Sequence, residues 1–388
     1  MRVLFAAHGA YGHVMPLFGV ARALVENGHD VAVATSRAFC PVVASAGLQP
    51  HPAGMDDAAL VAEARKRWPH TAALPAAAWT PRMFCEIAAP AMAADLGPLL
   101  DRGQPDVVVR EEGEHGSPVA SAARGVPWVT HGWGSPLQDE GALVEHARLV
   151  APMWEHAGLD VPAGAGRYGA AIFDPCPPSL YVQAPALTHR HGVRPTSRPE
   201  LREPGPASSG GRRHAYVGFG TVPLFRDHPQ LTRAAVEALL AEGFDVTVTT
   251  GDSDLARTIG DAHPTRVRVE RWAQLPELLQ DCAVAVCHGG AGTVLAALAA
   301  GVPLVLLPRG APSQQRMSAA CETRGVGRAV VWNGANCDDV RAAITEVTSE
   351  ARFASAADSV ARELAGMPDP SVAGAVLDGV LRQLRTGS

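Results

Sequence analysis

Residues Cys287 to Gly301 read CHGGAGTVLAALAAG. The apolar run CAVAVC, from Cys282, ends in a histidine and three glycines. A helix pattern, TVLAALAA, follows and is closed by Gly301, and LVLLP then resumes as a strand. Strand, glycine loop, helix and strand form a βαβ unit, which implies a parallel sheet. Gly289, Gly290 and Gly292 let the backbone approach a ligand closely. The helix start offers unpaired N–H donors and the positive end of a dipole, so a diphosphate fits there. His288 adds a side-chain donor and Thr293 a hydroxyl in the first turn. The helix pattern is apolar all round, which predicts a buried helix whose amino end meets little water.

The same order of elements opens the chain. Val3 to Ala7 is a short apolar strand, and Leu17, Val20, Ala21 and Leu24 recur at helical spacing. Pro16 suits the first turn of that helix, Gly28 its stop, and DVAVAT from Asp30 the next strand. A further strand, AYVGFGTV, starts at Ala215, followed by the helix pattern LTRAAVEALLAEG and the strand DVTVTTG. Between the halves, RHGVRPTSRPELREPGPASSGGRR is rich in Pro, Gly, Ser and Arg and reads as a linker. The expected fold class is α/β, with two facing Rossmann-like domains over residues 1–200 and 201–388. The last helix is free to return to the first domain. A ligand cleft is expected between the domains, at the carboxyl ends of the strands.

A length of 388 residues suits two domains, and 47% hydrophobic with 19% charged residues supplies two cores. A net charge of −6 argues against nucleic-acid binding. No uninterrupted apolar run reaches about 18 residues, so neither a transmembrane helix nor stable membrane insertion is expected. MRVLFAAHG begins a strand at once, with no leader. Seven scattered cysteines without CxxC spacing read as reduced, buried thiols and point to the cytoplasm. A homodimer is left open.

HGGAGT resembles the diphosphate loop of GT-B glycosyltransferases, specifically the nucleotide-sugar-dependent enzymes of antibiotic, macrolide and polyketide biosynthesis. The resemblance covers nearly the whole chain. WAQLPELL begins at Trp272, sixteen residues before His288, where that family keeps the tryptophan that stacks on the nucleobase. GFGTV resembles the loop whose hydroxyl, here Thr221, touches the phosphates. PRGAPSQQRM, with Gln314 and Gln315, resembles the segment that contacts the donor sugar. GHVMPL resembles the motif carrying the catalytic base, here His13, and PDVVVREEGEHG supplies its acidic partner, Glu111, with Glu112 and Glu114 adjacent.

The resemblance implies an inverting transferase. His13 takes the acceptor's hydroxyl proton, Glu111 fixes its tautomer, and the helix dipole, His288 and Thr221 offset charge on the leaving diphosphate. His8 competes weakly as the base. Neither metal nor cofactor is expected, the nucleotide sugar being a co-substrate. The Asp-x-Asp of GDSDLA, Asp252 and Asp254, reads as turn and N-cap residues, and HRHG at His189 as a linker fragment. The tryptophans of the first half read either as loop packing or as a pocket wall for a large apolar acceptor. Trp79, Phe84, Trp133 and Met153 are the acceptor-side candidates.

Departures from the family pattern carry information. Ala296 stands where relatives using UDP-sugars commonly carry a Glu for the ribose hydroxyls, which implies a TDP-sugar. Ser313, Gln314 and Gln315 replace an acidic residue followed by Gln, which suits a deoxysugar. Leu275 replaces a Gln after Trp272, so a polar contact to the nucleotide is lost. Two alternatives remain open: a non-catalytic nucleotide-binding homologue assisting a partner transferase, and a nicotinamide-dependent oxidoreductase. The latter needs a GxGxxG directly after a strand; Gly9 and Gly12 do not make that pattern, and Gly218-Phe219-Gly220 lacks the third glycine.

Overall fold

The computed structural model describes residues 1–70, 76–138, 143–183, 185–187, 189–195, 213–221, 229–308, 311–331 and 337–386, with the backbone alone at 76–78. The chain divides into two compact units. The first comprises Met1–Cys176, Ala184–Thr196 and Pro368–Ser388; the second comprises Pro177–Gln183 and Ser197–Met367.

The first unit holds a parallel sheet of β1 (Arg2–Ala6), β2 (Asp30–Thr35), β3 (Gln49–Pro52), β4 (Val107–Glu111), β5 (Trp128–His131), β6 (Ile172–Asp174) and β7 (Arg190–Gly192). Its order is β3-β2-β1-β4-β5-β6-β7, so the winding reverses between β1 and β4. Such a switch point leaves a crevice at the carboxyl ends of its two strands. Strand β4 is buried along its whole length, including Arg110 and Glu111. The final helix, Ala373–Thr386, belongs to this unit and adds Ala373, Leu377 and Val380 to the core around Val20 and Leu24.

The second unit repeats the plan. Its parallel sheet contains β8 (His214–Gly218), β9 (Asp245–Thr249), β10 (Val267–Glu270), β11 (Cys282–Cys287), β12 (Leu304–Leu306) and β13 (Gly327–Ala329). The order β10-β9-β8-β11-β12-β13 puts the switch between β8 and β11, where Gly218 and Cys287 are register partners.

Three expectations need correction. HRHG is not a linker fragment, because Arg190–Gly192 pairs in parallel with β6 as the sheet's edge. Short and polar, it carries no apolar pattern to announce it. The first helix does not begin at Pro16: a helical turn at Tyr11–Val14 and a 3₁₀ turn at Met15–Leu17 precede Phe18–Glu26. Among the described residues, one helical run, Trp79–Gly103, is long and apolar enough by mean composition to cross a membrane, though charged residues interrupt it. Half of its apolar window is buried, and Met92, Leu96 and Leu100 join a core with Leu4, Ala6 and Val108. Finally, Cys337 is exposed and Cys40 half-buried, while the other five thiols are buried.

Candidate active site

In the first unit, His8 and His13 follow β1 and Glu111 ends β4, so the switch point gathers them. His13 Nδ1 lies 2.9 Å from Glu111 Oε1. The second carboxylate oxygen accepts from the Gly113 N–H at 2.6 Å and from Trp133 Nε1–H at 2.6 Å. Burial alone would raise the pKa of Glu111, but His13, its hydrogen bond, His8 and Arg110 hold it at about 2. Burial likewise opposes the His13 imidazolium, yet the Glu111 carboxylate outweighs it and holds that pKa above the ordinary value of 6.5. With Nδ1–H donated to Glu111, Nε2 carries the basic lone pair.

The neighbouring acids have other partners. Glu112 pairs with Arg167 at 3.0 Å and accepts from the Trp133 N–H at 3.1 Å. Glu114 accepts from the N–H groups of Gly116 and Ser117. All three carboxylates are buried, so Glu111 is not a solvated loop charge. His8 is buried, with Nε2 3.1 Å from the Gly113 carbonyl oxygen, and burial lowers its pKa to about 4. A neutral imidazole donating to a carbonyl is a poor base.

The aromatic candidates separate. Trp133 and Phe84 stand 5.1 Å and 5.7 Å from His13 by ring centroids. Trp79 is buried, and Met153 packs on a satellite core of Cys85, Val119, Val150, Trp154 and Ala165. Trp128 and Trp154 donate to the carbonyls of Gly166 and Ala165, which is loop packing. Sequence placed Trp133 on the acceptor wall, yet its indole N–H serves Glu111. No spacing in the sequence signals that bond.

In the second unit, β8 and β11 end side by side and release two loops. His288 follows β11 half-buried, and burial lowers its pKa to about 4, so it is neutral near pH 7. Its Nδ1 is buried without a hydrogen-bond partner among the described residues. The loop from β8 runs against this ring: a Cβ at Gly220, where φ is +83°, would lie 2.8 Å from His288 Cε1. Gly289 has φ +80°, and a Cβ there would lie 2.5 Å from Ser318 Oγ. Both positions therefore need glycine.

The helix Ala291–Ala299 buries Val294 to Leu298 but has no side-chain cap at Gly290. Its amino end is not closed off, correcting the expectation: Gly292 is exposed, and Ala291 and Thr293 are half-buried. A Cβ at Gly292 would meet nothing within 4 Å, which leaves open space before the free N–H groups. Thr221 is exposed beyond β8. Trp272, after β10, is 45% exposed and does not cover the core. The helix Pro312–Arg324 buries Gln314 and exposes Gln315, so the two amides face different surroundings. Ala296 is buried, so it brings no carboxylate to this surface. Asp252 caps the helix Ser253–Ala262, accepting from the N–H groups of Asp254 and Leu255 at 2.9 Å and 3.0 Å.

Two parallel-sheet α/β units are the architecture of the GT-B glycosyltransferases, and the chain's solved structural neighbours are of that class. The chain belongs to the family of erythromycin biosynthesis protein CIII-like proteins. The family's amino-terminal domain matches residues 22–189 and its carboxy-terminal domain residues 241–378. Among curated proteins it is 30% identical to the L-demethylnoviosyl transferase of Streptomyces niveus, over 100% of this chain and 99% of that one. It is 30% identical to the elloramycin glycosyltransferase of Streptomyces olivaceus, over 96% of this chain and 95% of the other. The crystal structure of the Streptomyces sp. SF2575 glycosyltransferase SsfS6, complexed with thymidine diphosphate, matches 100% of this chain and 99% of its own, with a TM-score of 0.73 and 25% identity. This chain is accordingly a natural-product glycosyltransferase.

Proposed function

We propose that the protein is an inverting glycosyltransferase that moves a deoxysugar from a TDP-sugar to a hydroxyl of an apolar aglycone. The observation that carries this reading is the His13–Glu111 pair at 2.9 Å, with the carboxylate anchored by two further donors. His13 Nε2 takes the acceptor's hydroxyl proton as the oxygen attacks the anomeric carbon. The new C–O bond forms as the bond to the diphosphate breaks, and direct displacement inverts that centre. Glu111 stays ionised and stabilises the imidazolium. Phe84 and Trp133 line the acceptor side of the base.

On the donor side, the open helix start at Gly290–Thr293, the neutral His288 and the Thr221 hydroxyl receive the diphosphate. Trp272 stacks on the base, and Gln315 is the exposed amide for the sugar. These groups supply the charge stabilisation, so the scheme assigns no metal to the reacting atoms. The TDP preference is supported by Ala296 and by the thymidine diphosphate bound to the SF2575 relative. The chain acts in the cytoplasm, on small molecules.

Calorimetric titration with TDP, UDP and NAD, followed by turnover of His13→Ala, tests the reading. TDP bound more tightly than UDP, and turnover lost in the variant, is the expected result. Equal affinity for UDP removes the donor assignment. Turnover at the parental rate without His13 removes the mechanism.

A further inference from the structure

Behind Phe84 lies a group of side chains that glycosyl transfer does not use. Cys85 Sγ and one ring nitrogen each of His115 and His146 all lie within 4.8 Å of one another. Cys85 and His115 are buried, and His146 is half-buried. They come from three elements: the π-helical turn Phe84–Ala88, the residue before the helix Gly116–Ala122, and the helix Val144–His156. His115 is 3% exposed, and its Nε2 has no hydrogen-bond partner among the described residues. A buried imidazole with an unused nitrogen, beside a thiol and a second imidazole, has the composition of a transition-metal site rather than of a core.

We propose that Cys85, His115 and His146 bind one zinc ion. One thiolate and two imidazoles are ligands that this borderline-soft cation favours, and three protein ligands leave a fourth position for water. Tetrahedral coordination requires the three atoms to draw in slightly from their present spacing. Binding forms a Zn–S bond as the Cys85 S–H breaks, and the proton leaves to solvent. Burial keeps the metal-free Cys85 a thiol. Arg110 and Arg167 are the nearby cations, and buried Glu112 and Glu114 answer them: Glu112 pairs with Arg167 at 3.0 Å, and Glu114 interacts with Arg110. Their repulsion of a metal is therefore offset. The half-buried His146 marks the route of entry.

The site is distinct from the reacting atoms and rests on none of the donor or acceptor roles above. Its effect is mechanical. Zinc ties the π-helical turn to two neighbouring segments, and that turn begins with Phe84, whose ring lies 4.9 Å from His8 and 5.7 Å from His13. An ion here fixes the wall beside the base. π-Helical turns recur at functional positions, where a sequence gives up regular helix for side-chain placement.

The test uses the full chain, stripped with a chelator and titrated with cobalt(II) and then zinc. The expected result is one equivalent of cobalt with a thiolate-to-cobalt charge-transfer band, displaced by one equivalent of zinc. Zinc should also raise the thermal midpoint. Cys85→Ser should abolish the band, and both Cys85→Ser and His146→Asn should weaken zinc binding by about 100-fold or more. Cys337→Ser, at an exposed thiol, should leave both unchanged. If Cys85→Ser fails to fold, His146→Asn at its half-buried position decides the matter. No charge-transfer band in the parent, or parental zinc affinity in a folded His146→Asn, overturns the site.

Discussion

The chain builds the same device twice and uses it in opposite ways. His13 follows β1 in a short helical turn and His288 follows β11 in a glycine loop, each at a switch point. His13 meets a buried carboxylate, and its pKa lies above 6.5. His288 meets backbone and glycines, and its pKa falls to about 4. Both rings feel the cost of burial, so the difference comes chiefly from Glu111, ninety-eight residues away in sequence, with Asp57 and Glu112 adding to it. A histidine at a switch point is thus a base or a neutral donor according to the strand beside it.

Removing the base should give the largest effect. His13→Ala should lower turnover by about 10²–10⁴-fold while TDP affinity, read by calorimetry, stays unchanged. A parallel loss of TDP binding would show that the two loops are not divided as described.

Glu111→Gln should cost about 10²-fold in kcat and also move the pH profile. A raised His13 pKa means that the base is free only above that value, so parental activity rises with pH through a limb above 6.5. Without the carboxylate, the limb should shift to lower pH. For folding the sign is the reverse. The stabilising His13–Glu111 contribution is fully present below pH 6.5 on the histidine side and fades as pH rises through the raised pKa. On the carboxylate side it fades as pH falls from the ordinary value of 4.5 toward about 2. Denaturant midpoints measured across pH check both limbs.

Trp133→Phe keeps the ring against His13 but deletes the N–H donated to Glu111. A loss of about 10-fold in kcat, equivalent to about 1.4 kcal/mol, is expected. An unchanged kcat would leave Trp133 as acceptor wall alone. The smallest effect belongs to the other histidine. His288→Gln should weaken TDP binding by about fivefold, and parental TDP affinity should show no His288 titration between pH 5.5 and 8, since its pKa is about 4. A pH-dependent contribution there would mean that His288 carries charge after all.

Much of this was legible in advance because it depends on local pattern. Apolar runs of strand length, glycine at helix stops and the loop CHGGAGT are read from neighbours in sequence, and they gave two parallel-sheet units and both histidines. GDSDLA read correctly as an N-cap because capping is local as well. The polar edge strand Arg190–Gly192 was missed because its pairing with β6, not its own residues, makes it a strand.

Other features were decided only by tertiary packing. Three acids in REEGEHG look equivalent on paper, and the fold gives Glu111 to His13, Glu112 to Arg167 and Glu114 to the helix start at Gly116. The assignment of Trp133 to Glu111 and the meeting of Cys85 with His115 and His146 likewise span long stretches of chain. Sequence determined which residues could form hydrogen bonds, accept protons or bind metal, since that is a property of the side chain. Only the packed structure decided which of them meet, since burial and a partner a few ångströms away set charge state and orientation.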